Sequence, residues 1–240
     1  MRHLILPVLM VLAFGACSPY QYLTLDSSQL LKNDKKQFVW ENDTLRLSYD
    51  FSGPGGPMSV NIYNKSSQPL YINWKKSALI RDEHSVSLFD PNVTMTGTAN
   101  SAGYRVGRFT ASSSNFTASF ALPEGMDFIP PSSSITKYLL PIGQSGSLIS
   151  YVADSIPKEK LTDAQGIYVA KYQRLTYNEN ESPIRFKSYM TFTLGNNSSV
   201  EFSETHSFYV GEVVQTSASP ETFNLYQQEG DKLFVKRPAM

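Results

Sequence analysis

The sequence predicts an all-β fold, an antiparallel two-layer β-sandwich. Three observations predict it. Apolar and polar residues alternate in several short runs, and turn-forming clusters separate those runs. The chain is also rich in the aromatic residues that suit a pleated sheet, with 14 Tyr and 14 Phe among 240 residues.

The alternation begins abruptly. Leu45, Leu47, Tyr49 and Phe51 alternate with Arg46, Ser48 and Asp50, the pattern of a half-buried strand over 44–51. Gly53 to Pro57 is a turn cluster, because glycines supply positive φ and prolines cannot donate to a ladder. Met58, Val60 and Ile62 form the next strand, Ser66 to Pro69 turns again, and Leu70, Ile72 and Trp74 form a third. Residues 90–114, rich in Asn, Thr, Ser and Gly, read as a long surface loop. Phe116, Ala118, Phe120 and Leu122 resume the alternation, and Pro130 to Ser134 breaks the chain before a strand over 135–141.

Residues 155–165 carry the one mid-chain helical pattern, a short one. The last third is strongly β, with strands expected over 166–177, 184–194, 200–202 and 206–214 and a final edge strand over 231–236. Ile184, Phe186, Met190, Phe192 and Leu194 share one face, with Ser188 as the exception, and Gly195 to Ser199 makes a hairpin turn. Short strands at this spacing indicate a sandwich of the immunoglobulin-like kind, enlarged by insertions and lacking an inter-sheet disulfide. It is expected to form a single domain over 37–240; two small β domains split near 143–157 are the alternative.

The N-terminus has a different character. Arg2 and His3 give a short basic start, Leu4 to Phe14 an apolar run, and Gly15 and Ala16 the small residues of a cleavage site. The run is too short for a spanning helix, which needs roughly 20 apolar residues. Residues 1–16 therefore read as a signal peptide. Cys17 is the chain's single cysteine, so it has no disulfide partner within the chain. The segment Phe14-Gly15-Ala16-Cys17 resembles the lipobox of bacterial lipoproteins, with Phe where Leu is commoner. The resemblance implies a lipid on Cys17 and membrane attachment through the N-terminus. Residues 17–36 are polar and weakly patterned and read as a flexible tether, with a short helical turn around 28–32.

The segments ENDTLRLSYDF, NKSSQPLYINWKKSALI, IPPSSSI and SPIRFKSYMTF, followed by FYVGEV, resemble an uncharacterised lipoprotein family of Bacteroidetes over most of 37–214. The resemblance implies an envelope lipoprotein, lipid-anchored at the outer membrane, with a β-sandwich body. It supplies no activity and no functional residue. Two triplets fit that source. Asp43-Thr44-Leu45 and Asp154-Ser155-Ile156 resemble the motif for O-glycosylation of exported proteins in this group, which makes Thr44 and Ser155 candidate modification sites. The stretch after Cys17 lacks the acidic cluster that resembles a surface-export signal, which favours a periplasm-facing anchor.

Composition narrows the chemistry. The 21 basic and 21 acidic residues balance, so no basic field exists to attract nucleic acid, and none is expected as a partner. His84 and His206 are far apart in sequence, so neither a metal nor any other cofactor is expected. Asp82-Glu83-His84 reads as a solvated loop and His206 as facing solvent. Gly143-Gln-Ser145-Gly146 lacks the spacing of a nucleophile elbow and reads as a turn. No catalytic residue is expected. Trp74, in phase with Leu70 and Ile72, reads as core, and Asp127 as facing water.

The expected function is that of a non-enzymatic module binding a protein or glycan partner. The alternative is an assembly accessory pairing through a sheet edge, at 184–194 or 233–235; a third reading is a hydrolase whose site residues leave no trace in the sequence.

Overall fold

The computed structural model describes residues 20–89, 92–98, 115–121, 125–142, 156–162, 166–195, 200–222 and 226–236. In chain order the strands are β1 (Tyr20–Asp26), β2 (Leu31–Lys32), β3 (Phe38–Glu41), β4 (Leu45–Asp50), β5 (Gly53–Pro54), β6 (Pro57–Asn64), β7 (Leu70–Arg81), β8 (His84–Ser87) and β9 (Asn92–Thr98). They continue with β10 (Asn115–Ala121), β11 (Met126–Ile129), β12 (Ser134–Pro141), β13 (Glu159–Thr162), β14 (Tyr168–Thr176), β15 (Arg185–Leu194), β16 (Val200–Thr216) and β17 (Lys232–Lys236). No helix occurs among the described residues.

The smaller main sheet runs β12-β6-β4-β3-β2, and the larger runs β11-β7-β15-β16-β1-β17-β5, with β13, β14 and β8 attached. Pairing is antiparallel except where β17 meets β5. The central pairings are those of an immunoglobulin-like Greek key. Strands β4, β6 and β12 stand as A, B and E, while β7, β15 and β16 stand as C, F and G. The chain crosses between sheets at the turn joining β6 to β7. There Asn64 accepts from the Ser66 backbone N–H at 3.0 Å and donates to the Gln68 carbonyl at 2.8 Å. In the Gly53 to Pro57 turn, Gly55 and Gly56 take φ of 74° and 65°, which a β-carbon would strain.

The two sheets close on one apolar layer. Phe38, Leu45, Leu47, Tyr49, Val60 and Ile62 come from one side, and Ile72, Phe186, Phe192, Phe208, Val210 and Val213 from the other. Phe208 lies at its centre. Its ring centroid is 5.2 Å from Phe38, 5.2 Å from Tyr49, 5.1 Å from Phe51 and 5.2 Å from Phe186. Period-2 alternation in β4, β6 and β7 produces this layer, as the sequence predicts. Trp74 is only 3% exposed and belongs to it.

Five expectations are corrected. Within the tether expected over 17–36, Tyr20–Asp26 form strand β1. Strand β1 lies between β16 and β17, with Leu23 and Leu25 in the main core and Tyr22 in a second cluster with Leu161, Ala170, Tyr172 and Val214. A strand buried on both faces has no alternation to read. The turn expected around 28–32 is instead the short strand β2, paired to β3. The helical pattern at 155–165 gives β13, because Leu161 is buried against its cross-strand partner Ala170; tertiary pairing overrides the helix-forming Lys and Glu. The loop expected over 90–114 contains β9, paired along its length with β10. Finally, 231–236 is no edge, since β17 lies between β1 and β5. The alternative split near 143–157 falls largely outside the described residues.

Candidate functional site

The outer face of the β12-β6-β4 sheet is built from the polar phase of the same alternation that fills the core. Register sets Ser48, Asn61 and Thr136 in one row across three strands, and Asp50, Ser59 and Tyr138 in the next. With Gln37 they line an open groove of about 390 Å³. Tyr138 stands at its rim with 79% of its surface exposed.

The polar groups are held in place by one another. Gln37 Nε2 donates to Asp50 Oδ2 at 2.9 Å, and the Ser52 backbone N–H donates to Asp50 Oδ1 at 2.8 Å. Burial pushes the Asp50 carboxyl up, but hydrogen bonds from Gln37 and Ser52, helped by the charge of Lys35, outweigh it and hold the carboxyl below its ordinary value. Asn61 Nδ2 donates to Thr136 Oγ1 at 2.9 Å, which ties its amide to the neighbouring strand. The arrangement offers a fixed carboxylate, an amide, several hydroxyls and a solvent-facing ring. Such a set suits a ligand rich in hydroxyls and weakly apolar ring faces.

The other singled-out residues lie elsewhere. Cys17, Ser145 and Ser155 fall outside the described residues. Thr44 is half-buried in the turn between β3 and β4, where its backbone N–H donates to Asn42 Oδ1 at 2.8 Å. His84 is exposed beside a tight turn in which Asp82 and Glu83 have positive φ. Among the described residues, no group of three or more His, Cys, Asp or Glu is placed to hold a metal.

His206 is a correction. Expected on the solvent face, it is 3% exposed and shares a 2.8 Å hydrogen bond through Nδ1 with the Tyr49 hydroxyl of the opposite sheet. Trp40 covers it at a ring distance of 5.0 Å. The signal was present, since His206 is in phase with the buried Phe208 and Val210. Asp127 is half-exposed yet engaged. Its Oδ2 accepts from Trp74 Nε1 at 2.8 Å and from Lys137 Nζ at 3.1 Å, which ties β7, β11 and β12 together at the open side of the sandwich.

Of the two strands expected to pair at an edge, β15 lies between β7 and β16, and β17 is flanked by β1 along its length and by β5 at Leu233 and Phe234. An unfilled edge lies on β16. Its C-terminal half is flanked by β1 only as far as Tyr209. At Ser207 two side chains stand in for the missing strand, Ser27 Oγ donating to its carbonyl at 2.7 Å and Gln29 Oε1 accepting from its N–H at 3.0 Å. Beyond it the outward-facing backbone of Thr205, Ser203 and Glu201 has no strand partner among the described residues.

Compared with known protein families, with characterised proteins and with solved structures, the chain matches none of them. Function therefore rests on the site alone.

Proposed function

We propose that this chain is a lipid-anchored module of a bacterial envelope that binds a glycan, without hydrolysing it, in the groove between Asp50 and Tyr138. The groove carries the proposal: it aligns a carboxylate, amides and hydroxyls beside an exposed aromatic ring. Its lining supplies a single carboxylate, whereas glycoside hydrolysis ordinarily uses two flanking the bond. The basic start, short apolar run and Cys17 support attachment through an N-terminal lipid, and the resemblance to Bacteroidetes lipoproteins supports the outer membrane as its place.

A glycan array probed with the full chain tests this reading. Binding to one saccharide class that Tyr138→Ala abolishes is the expected result. An array with no signal, or a signal that survives both Tyr138→Ala and Asp50→Asn, overturns it.

The gap along β16 supports a second reading, in which an extended segment of a partner protein adds to the sheet beside Glu201, Ser203 and Thr205. Replacing Ser203 by Pro removes an outward donor, and it would abolish such pairing while leaving glycan binding intact.

A further inference from the structure

The first described residue fixes how far the sandwich can stand from an anchor at Cys17. Tyr20 pairs with Thr216, which pairs on its other side with Tyr172 of β14. Strands β1 and β14 are both antiparallel to β16, so they run parallel to each other from this row. Traced back from Tyr20, the chain reaches Cys17 in three residues, a span of at most about 11 Å. Traced back from Tyr172, β14 extends to Tyr168, about 13 Å at strand rise. A lipid on Cys17 therefore enters the bilayer within reach of the start of β14.

What stands at that tip suits such a surface. Ile167 is 64% and Tyr168 55% exposed, an aliphatic and an aromatic side chain at the end of a strand. Amphipathic aromatic rings favour the membrane interface. Behind them Lys160 and Lys171 are direct cross-strand partners, although like charges so placed are unfavourable. Neither they nor Lys236, cross-strand from Tyr20, form a salt bridge among the described residues. Glu159, beside them, accepts from the Tyr172 hydroxyl. Anionic headgroups would supply the missing counter-charge. Lys171 and Tyr168 also share a cleft of about 360 Å³ with Lys158, so cationic and aromatic groups face the same space.

Given the acylated Cys17 proposed above, we propose that this end of the sandwich is a docking face for an anionic phospholipid bilayer. Ile167 and Tyr168 sit in the interfacial layer, and Lys160, Lys171 and Lys236 face the headgroup phosphates. The domain stands directly on the membrane and does not swing on a tether.

The full-length acylated protein in vesicles of phosphatidylethanolamine and phosphatidylglycerol tests this. Cys17 is the only cysteine, so once it is acylated an introduced cysteine is the sole labelling point. An environment-sensitive fluorophore on Ile167→Cys, and independently on Tyr168→Cys, should shift to the blue and be quenched by lipid-borne spin labels. The same probe on Val86→Cys should remain quenched by aqueous iodide. Val86 is 49% exposed, and its row, through Leu79 and Ser188 to His206, lies roughly 30 Å up the sheet from Thr216. Iodide quenching at 167 and 168 equal to that at 86, with Cys17 shown by mass spectrometry to be acylated, overturns the docking face and leaves the anchor standing. An unacylated Cys17 overturns both.

Discussion

The Tyr49 hydroxyl of one sheet meets the His206 imidazole of the other at 2.8 Å, in a layer built mainly of apolar side chains. Burial pushes the Tyr49 hydroxyl above its ordinary range and lowers His206 to about 4. Both are therefore neutral near neutral pH and can satisfy each other. The pair joins the sheets at a point where a charge could not be tolerated.

Acid sensitivity follows from the sign of that shift. Unfolded, His206 takes up a proton as pH falls through about 6.5, whereas folded it resists until about 4. Its contribution is intact above pH 6.5 and is lost as pH falls from 6.5 toward 4, about 3 kcal/mol in full. Urea unfolding at pH 7.5 and pH 4.5 should show the loss, and His206→Gln should flatten the difference. Equal slopes for the two proteins would show that other groups drive the acid loss.

Removing only the partner should also be costly. Tyr49→Phe keeps the ring contact with Phe208 but leaves the buried His206 Nδ1 without its hydrogen bond, at about 1–3 kcal/mol. Phe208→Ala should cost more, about 3–5 kcal/mol, because four aromatic neighbours lose their common contact. Denaturant midpoints of the two variants at pH 7.5 check the order; the reverse order would place the centre of the core elsewhere.

The core was legible wherever one face of a strand meets water. Leu45, Leu47 and Tyr49 alternate with polar residues because β4 has such a face. Strand β1 was not legible, because Tyr22 packs on one side of its sheet and Leu23 and Leu25 on the other. The groove was invisible for another reason. Asp50, Ser59 and Tyr138 become neighbours only through the register of three strands, and no spacing in the sequence encodes that. For His206 residue type and phase disagree: its polarity points to water, while its phase with Phe208 and Val210 places it in the core.

The Trp74, Asp127 and Lys137 cluster should respond unequally to its two charged members. Asp127→Ala leaves the indole N–H of the buried Trp74 without an acceptor, a loss of about 1–3 kcal/mol. Lys137→Ala removes a half-exposed ion pair and a cation–π contact at 5.4 Å, worth about 1 kcal/mol or less. Thermal unfolding should rank Asp127→Ala well below Lys137→Ala. Equal losses would mean that the ion pair, not the indole hydrogen bond, closes this side of the sandwich.

Groove substitutions should separate binding from folding. Tyr138 is 79% exposed, so Tyr138→Ala uncovers no core and should change stability by no more than about 0.5 kcal/mol. Any loss of glycan binding then reports stacking on the ring, which is worth a larger share when the partner face is apolar. Asp50→Asn keeps the shape of the groove and an acceptor oxygen for Gln37 but removes the charge. If ligand hydroxyls donate to an ionised carboxylate, the substitution weakens binding about tenfold or more, since charge-assisted hydrogen bonds are roughly twice as strong as neutral ones. Because hydrogen bonds from Gln37 and Ser52 hold the Asp50 carboxyl below its ordinary value, wild-type binding should stay flat from pH 8 down to pH 5. Titration of wild type and variant with the array-selected saccharide measures this. A wild-type affinity that falls across that window would show that another group controls binding, and an affinity that Asp50→Asn leaves unchanged would remove Asp50 from the binding site, whatever Tyr138 contributes.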